Sequence, residues 1–238
     1  MKSSEPTISS KIVSFIIVLL SIYFIDEFSS LSLVHALFPL RHTSYLLTVF
    51  EKHFWQFAVS FSAIVWLSRG HLWSYGINSK NLKMSMNYLL WAYGFTIVST
   101  LGVRIMTGSF ILPLPAESFP LGIRNSIIAM LVFWMSAPVA NTILFFGFGQ
   151  TLLMKYFESL DKMFLIPTSV IIAAVFYSLF STGAHFIGLG SSAWIGTFMI
   201  GIFSGYVYWK TESLIAPMLG QAFYFGFPLF VKIVSLVS

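Results

Sequence analysis

The sequence predicts an all-α protein of the membrane: a polytopic transmembrane helix bundle of about seven spans, folded as a single domain over residues 1–238. Three observations predict it. Hydrophobic residues make up 57% of the chain and charged residues 9%, and the mean hydropathy is +0.86. A soluble domain carries about 25% charged residues, so this chain has too few charges to coat a surface in water. The apolar residues also fall in long runs separated by short charged segments, and crossing a bilayer takes about 20 residues of helix.

The runs are taken in order. Ile12–Ile25 follows Lys2 and Lys11 as a signal peptide would, but no small-residue cleavage site comes after it, so it reads as a retained first span. Residues 26–53 hold Asp26, Glu27, Arg41, Glu51, Lys52 and three His, and read as a loop or interfacial segment. Phe54–Leu67 is a second span, short unless it reaches back into that loop. Residues 68–83 form a basic linker with Arg69, His71, Lys80 and Lys83, and Met84–Met106 is a third span. Residues 107–124 hold three Pro and read as a loop. Asn125–Tyr156 exceeds one span and is interrupted at Pro138, which calls for a kink or a short interfacial helix before a span. Phe164–Phe186, Ser192–Trp209 and Leu214–Val237 complete the set.

The chain has no Cys, which excludes disulfides, thiolate metal sites and thiol nucleophiles. Its net charge is +5, but the basic residues are scattered singly between apolar runs, so they fit positive-inside topology better than nucleic acid. Lys2, Lys11, Arg69, Lys80, Lys83, Lys155, Lys162 and Lys210 sort to one side; Arg41, Lys52, Arg104, Arg124 and Lys232 sort to the other. That bias predicts a multi-pass protein of the cell membrane with a cytoplasmic N-terminus. Trp55, Trp66, Trp73, Trp91, Trp194 and Trp209 fall near predicted span ends, as interfacial anchors do. His35, His42, His53 and His71 read as wetted residues near the interfaces. Gly201 and Gly205 form a G-x-x-x-G that suits close helix packing and could equally serve a partner helix.

Ionisable residues within membrane spans are expensive, so each is a functional candidate. Between Phe164 and Trp209 there is no charge, and the one titratable imidazole is His185. Four separated stretches then carry a resemblance. The stretch WSYGINSKNLKMSMNYLLWA (73–92) is similar to a family entry segment, a basic linker before a long span. APVANTILFFGFGQTLL (137–153) resembles a first motif written apxxEExxFRGxlqxxL. LFSTGAHF (179–186) and SLIAPMLGQAFYF (213–225) resemble the second and third motifs, FxxxH and slxxpixxHxxxN. The family is that of the CAAX proteases and bacteriocin-processing enzymes, CPBP or Abi, and the order and spacing agree over a core of about 73–227.

The resemblance implies an intramembrane protease whose two glutamates and two histidines activate a water, with or without a metal. Carried over residue by residue, the paired glutamates fall on Asn141 and Thr142, and the arginine on Phe146. The second-motif aromatic falls on Ser181 and its histidine on His185, the one catalytic position kept. The last histidine falls on Gln221 and the asparagine on Phe225. Flanking Pro138, Gly147, Gln150, Ser213, Ala216 and Pro217 persist. Amides and hydroxyls are not general bases near neutral pH. One imidazole cannot make a zinc site. Glu158 lies about 24 Å from Thr142 along a helix at 1.5 Å per residue. A lone His185 beside Gly183 and Gly188 also suits a plain bond to a backbone carbonyl.

The resemblance therefore implies a degenerate polar cluster of Asn141, Thr142, His185 and Gln221, with no metal and no cofactor. The expected function is a membrane scaffold or regulator, a pseudoenzyme whose partner is another membrane or membrane-anchored protein, with no nucleic acid involved. One alternative is an active CAAX-type endopeptidase that uses His185 with an acid from elsewhere. Another is a small transporter or lipid-binding protein, although ion transport would call for intramembrane charge.

Overall fold

The computed structural model describes residues 8–30, 45–107, 127, 132–157, 166–181 and 191–237. Every element among them is helical, and none is a strand. In an apolar medium each backbone N–H and C=O must be satisfied within the chain, and a helix does this locally. Helix α1 is Ile8–Ser30, α2 is Tyr45–Ser68 and α3 is Leu82–Thr107. The fourth rod, α4, covers 132–157 in pieces: a π-helical Val132–Ser136, an α-helical Ala137–Asn141, a π-helical Thr142–Gln150 and an α-helical Thr151–Phe157. Helices α5 (Thr168–Ser181), α6 (Ser191–Thr211) and α7 (Ile215–Val237) follow.

One expectation needs correcting. Residues 45–53 are helix rather than loop, so the second apolar run does reach back, and α1 continues past Ile25 through Asp26 and Glu27. From 132 to 157 the run around Pro138 is one continuous rod, and most of 125–131, where a short preceding helix would fall, lies outside the described residues. Proline lacks an N–H and crowds the carbonyl four residues back. The π turn at Val132–Ser136, immediately before Ala137 and Pro138, loosens the ladder at that point. The predicted loop at 107–124 lies almost wholly outside the described residues.

The rod α4 is the axis of the fold. Every residue from 140 to 151 is buried. A helix that is apolar all round belongs in an interior. Ile22 of α1, Ile64 of α2, Tyr177 of α5 and Leu214 before α7 close around Leu144, Phe145 and Phe146. Glycines let these neighbours approach. A Cβ at Gly147 would lie 2.9 Å from Leu214 Cδ1, and one at Gly149 would lie 2.8 Å from Ile22 Cδ1. Among the described residues one helix, Trp134–Lys155, is long and apolar enough to cross a membrane, and it is this mostly enclosed one.

The outer helices show apolar side chains to the outside. Ile17 and Phe24 on α1 and Leu90, Trp91, Val98 and Ile105 on α3 are between 56% and 84% exposed. Such faces are a liability in water and suit contact with lipid. At one end, segments 69–81 and 211–214 clasp each other. The Leu214 N–H donates to the Gly76 carbonyl at 2.9 Å, the Ser213 hydroxyl to the Asn78 carbonyl at 2.8 Å, and the Asn78 amide to the Glu212 carbonyl at 2.9 Å. Gly76 has φ +78°, and a Cβ there would meet the Tyr208 ring at 2.3 Å, so the clasp requires glycine.

Gly201 and Gly205 pack within the chain. A Cβ on Gly201 would lie 2.9 Å from the Ala174 Cα of α5. Gly201→Leu is therefore expected to lower the unfolding midpoint in detergent, at about 1–3 kcal/mol for overpacking against backbone. Gly94→Ala, where a Cβ meets nothing within 4 Å, is expected to be neutral or slightly stabilising. Equal losses at both sites would contradict the packing described.

Candidate functional site

The site is built around the α-to-π junction of α4, where Asn141 and Thr142 fall. Both are buried, at 4% and 0% exposure. A buried amide needs partners, and α2 supplies one. Gln56 Nε2 donates to Asn141 Oδ1 at 3.2 Å. Gln56 is itself buried, and its backbone carbonyl accepts from the Ser60 hydroxyl at 2.5 Å.

Gln221, in the second turn of α7, is fully buried and held from two other helices. Tyr177 of α5 donates its hydroxyl to Gln221 Oε1 at 3.4 Å, and Gln221 Nε2 donates to Ser204 Oγ of α6 at 3.4 Å. Phe146, which the resemblance aligns with an arginine, is fully buried. Its ring centroid is 5.7 Å from that of Tyr177, and Phe145 meets the same ring edge-on at 5.5 Å. Tyr177 thus carries its ring to the two phenylalanines and its hydroxyl to the glutamine.

The described members of the expected cluster form two bonded groups rather than one. Gln56 with Asn141 is the first; Tyr177, Gln221 and Ser204 are the second. No hydrogen bond joins Asn141 or Thr142 to Gln221 among the described residues, and the Asn141 oxygen accepts from Gln56. Thr142 Oγ1 and Gln56 Oε1 have no partner among the described residues. His185 lies outside the described residues. Ser181 and Phe225 sit on α5 and α7, Phe225 one turn after Gln221, with only their backbone placement described. Gly205 marks where Gln150 reaches α6: Gln150 Nε2 donates to the Gly205 carbonyl at 2.8 Å.

Gln56, Tyr177 and Ser204 were not legible as site residues. Gln56 belongs to none of the motif pieces. Its one signal is a polar spacing, Lys52, Gln56 and Ser60, that repeats every four residues and so lines one helix face. Lys52, one turn before Gln56, pairs with Asp26 of α1 at 3.1 Å. Both Asp26 and Glu51 are 6% exposed, so these acids are interior groups on helices rather than members of a loop. His53 is likewise helical and half-buried, and its ring Nδ1–H donates to the Val49 carbonyl at 2.7 Å, which corrects its reading as a wetted loop residue. His71 is exposed, and His35 and His42 lie outside the described residues.

The donor set was tested against the metal that the resemblance implies. Zinc takes imidazole, thiolate or carboxylate. Asn141, Thr142 and Gln221 offer two amides and a hydroxyl, and both amide oxygens already accept protein hydrogen bonds. Among the described residues no group of three His, Asp or Glu is placed to hold a metal ion. These residues do not fit the group.

The Asp26–Lys52 pair carries its own test. Lys52→Met strips a buried carboxylate of its cation, which costs about 3–5 kcal/mol. Removing both charges with Lys52→Met and Asp26→Leu is expected to recover most of that loss in denaturation of the purified protein. A double variant as unstable as the single one would mean the two charges are uncoupled.

A family model described as Rce1-like, type II CAAX prenyl endopeptidase Rce1-like, matches residues 123–225. No curated protein and no solved structure matches the chain. The matched segment carries Asn141, Thr142, Phe146, Tyr177, Ser204 and Gln221, while Gln56, Lys52 and Asp26 lie before it. Over residues 123–225 the chain is thus similar to the Rce1-like CAAX prenyl endopeptidases.

Proposed function

We propose that this protein is a catalytically silent relative of the CAAX proteases, a multi-pass membrane scaffold or regulator that acts by binding another membrane protein. The observation that carries this reading is the tie between Gln56 and Asn141. Where the family would place an acid to take a proton from water, an amide is fixed by a second amide. General base catalysis needs a group that can accept that proton. Phe146, packed on Tyr177, offers no hydrogen-bond donor where an arginine would stand. Fold without site residues does not license the family's chemistry.

The multi-pass arrangement is part of the proposal. Helices α1, α2, α3, α6 and α7 run 21 to 26 residues. At 1.5 Å per residue these lengths match a hydrocarbon core of about 30 Å. The cytoplasmic N-terminus rests on the basic residues at the clasped end. A partner would meet the exposed apolar faces of α1 and α3, since Gly201 is occupied by α5 and Gly205 by α4 and α5.

One observation favours a second reading, an endopeptidase with an acid recruited from outside the matched segment: Asp26 and Glu51 are buried carboxylates on α1 and α2. Against it, Lys52 sits 3.1 Å from Asp26 and neutralises it.

Purified protein incubated with prenylated CAAX peptides, with and without chelator, separates the two. The expected result is no cleavage above a blank membrane preparation. Cleavage lost on Asp26→Asn or His185→Ala would establish the peptidase reading and end the scaffold one.

A further inference from the structure

The clasped end of the bundle concentrates positive charge. Lys80 is bonded into the clasp, Arg69 follows the end of α2, Lys83 sits in the first turn of α3, Lys155 near the end of α4 and Lys210 near the end of α6. All five are exposed. The clasp hydrogen bonds bring these helix ends together, and Lys155 Nζ donates to the Tyr75 hydroxyl at 3.5 Å across them. Among the described residues this end has one carboxylate, Glu212, and Lys80 is paired with it. Among the described residues the helix ends opposite carry Lys52, Arg104 and Lys232 together with Asp26, Glu27 and Glu51.

The cations are interleaved with aromatics. Lys210 Nζ stands 4.1 Å over the Trp209 ring, and Lys155 stands 4.9 Å over Tyr75. Trp66 and Trp73 are 80% and 63% exposed. Exposed tryptophan beside lysine and arginine marks the depth of lipid headgroups, where basic stems lie along apolar surface and their charged heads reach outward. The backbone beneath is fixed: Arg69, Asn81 and Glu212 hold left-handed φ angles of 51°, 54° and 53° within the hydrogen-bonded clasp.

We propose that this end is a binding surface for the phosphate headgroups of anionic lipids, with Arg69, Lys83 and Lys210 as the contacting cations. The proposal rests on the membrane reading and goes beyond orientation, because it calls for selectivity among lipids. A zwitterionic headgroup carries its own cation and repels the patch that its phosphate attracts. An anionic headgroup has no such offset, and each juxtamembrane Lys or Arg contributes about fivefold in affinity.

The test titrates the purified full-length protein in neutral detergent with phosphatidylglycerol, phosphatidylcholine or inorganic phosphate, reading bound lipid by native mass spectrometry. Phosphatidylglycerol is expected to bind at least about tenfold tighter than phosphatidylcholine, with the preference falling as salt rises. Lys83→Gln with Lys210→Gln is expected to weaken phosphatidylglycerol about 25-fold, leaving phosphatidylcholine binding and the unfolding midpoint unchanged. Lys232→Gln at the opposite end is expected to change nothing. Equal affinity for the two lipids, or a double variant that binds as the parent does, would overturn the proposal. Competition by inorganic phosphate at matched concentration would also overturn it, as the mark of a free-anion site. Carbonate extraction of native membranes keeps the two levels apart. Protein retained in the pellet without lipid selectivity sinks this proposal alone, whereas protein released to the supernatant sinks the membrane reading beneath it.

Discussion

The fold depends on one constraint: the rod at 140–151 is enclosed on every side, so each polar group on it must find its partner inside the protein. A buried donor or acceptor left alone there costs about 1–3 kcal/mol. Asn141 Oδ1 meets this demand through α2 and Gln150 Nε2 through the backbone of α6, whereas Thr142 Oγ1 and Gln150 Oε1 have no partner among the described residues. Thr151 meets it through the Tyr208 hydroxyl at 2.6 Å. These three bonds reach from the axis to neighbouring helices and help fix where those helices sit.

The same constraint explains what the site contains. A buried arginine at position 146 would need an acid, and none stands at 141 or 142. Phenylalanine removes that debt and adds a ring contact to Tyr177. Gln221, which the resemblance aligns with a histidine, bonds through both ends of its amide, to Tyr177 and to Ser204. The substitutions are thus mutually consistent. The acids that are buried, Asp26 and Glu51, stand on α1 and α2, and Lys52 answers Asp26 directly.

Much of the fold was legible because apolar runs in lipid have few options other than helix. The third run, read as Met84–Met106, is Leu82–Thr107, and the last, read from Leu214, is Ile215–Val237. The start of α2 was misplaced because Glu51, Lys52 and His53 resemble a loop when counted as charges. They are helical because Lys52 faces Asp26 across α1 and His53 bonds back to Val49, pairings that no local pattern announces. The π turns around Pro138 left one trace in the sequence, the proline itself. The site was legible as a list of substituted positions and not as a network. Gln56 lies 85 residues from Asn141, and only packing brings the two together.

The most direct test of this account is a double-mutant cycle between positions 56 and 141, measured as unfolding free energy of the purified protein in detergent. Gln56→Leu and Asn141→Leu are each expected to destabilise by about 1–3 kcal/mol, since each strands a buried amide. The double variant is expected to lose less than the sum of the two, leaving a coupling energy of about 0.5–1.5 kcal/mol. Strictly additive losses would mean that these amides do not hold each other, and the account of a neutral, amide-bonded site would fall with them.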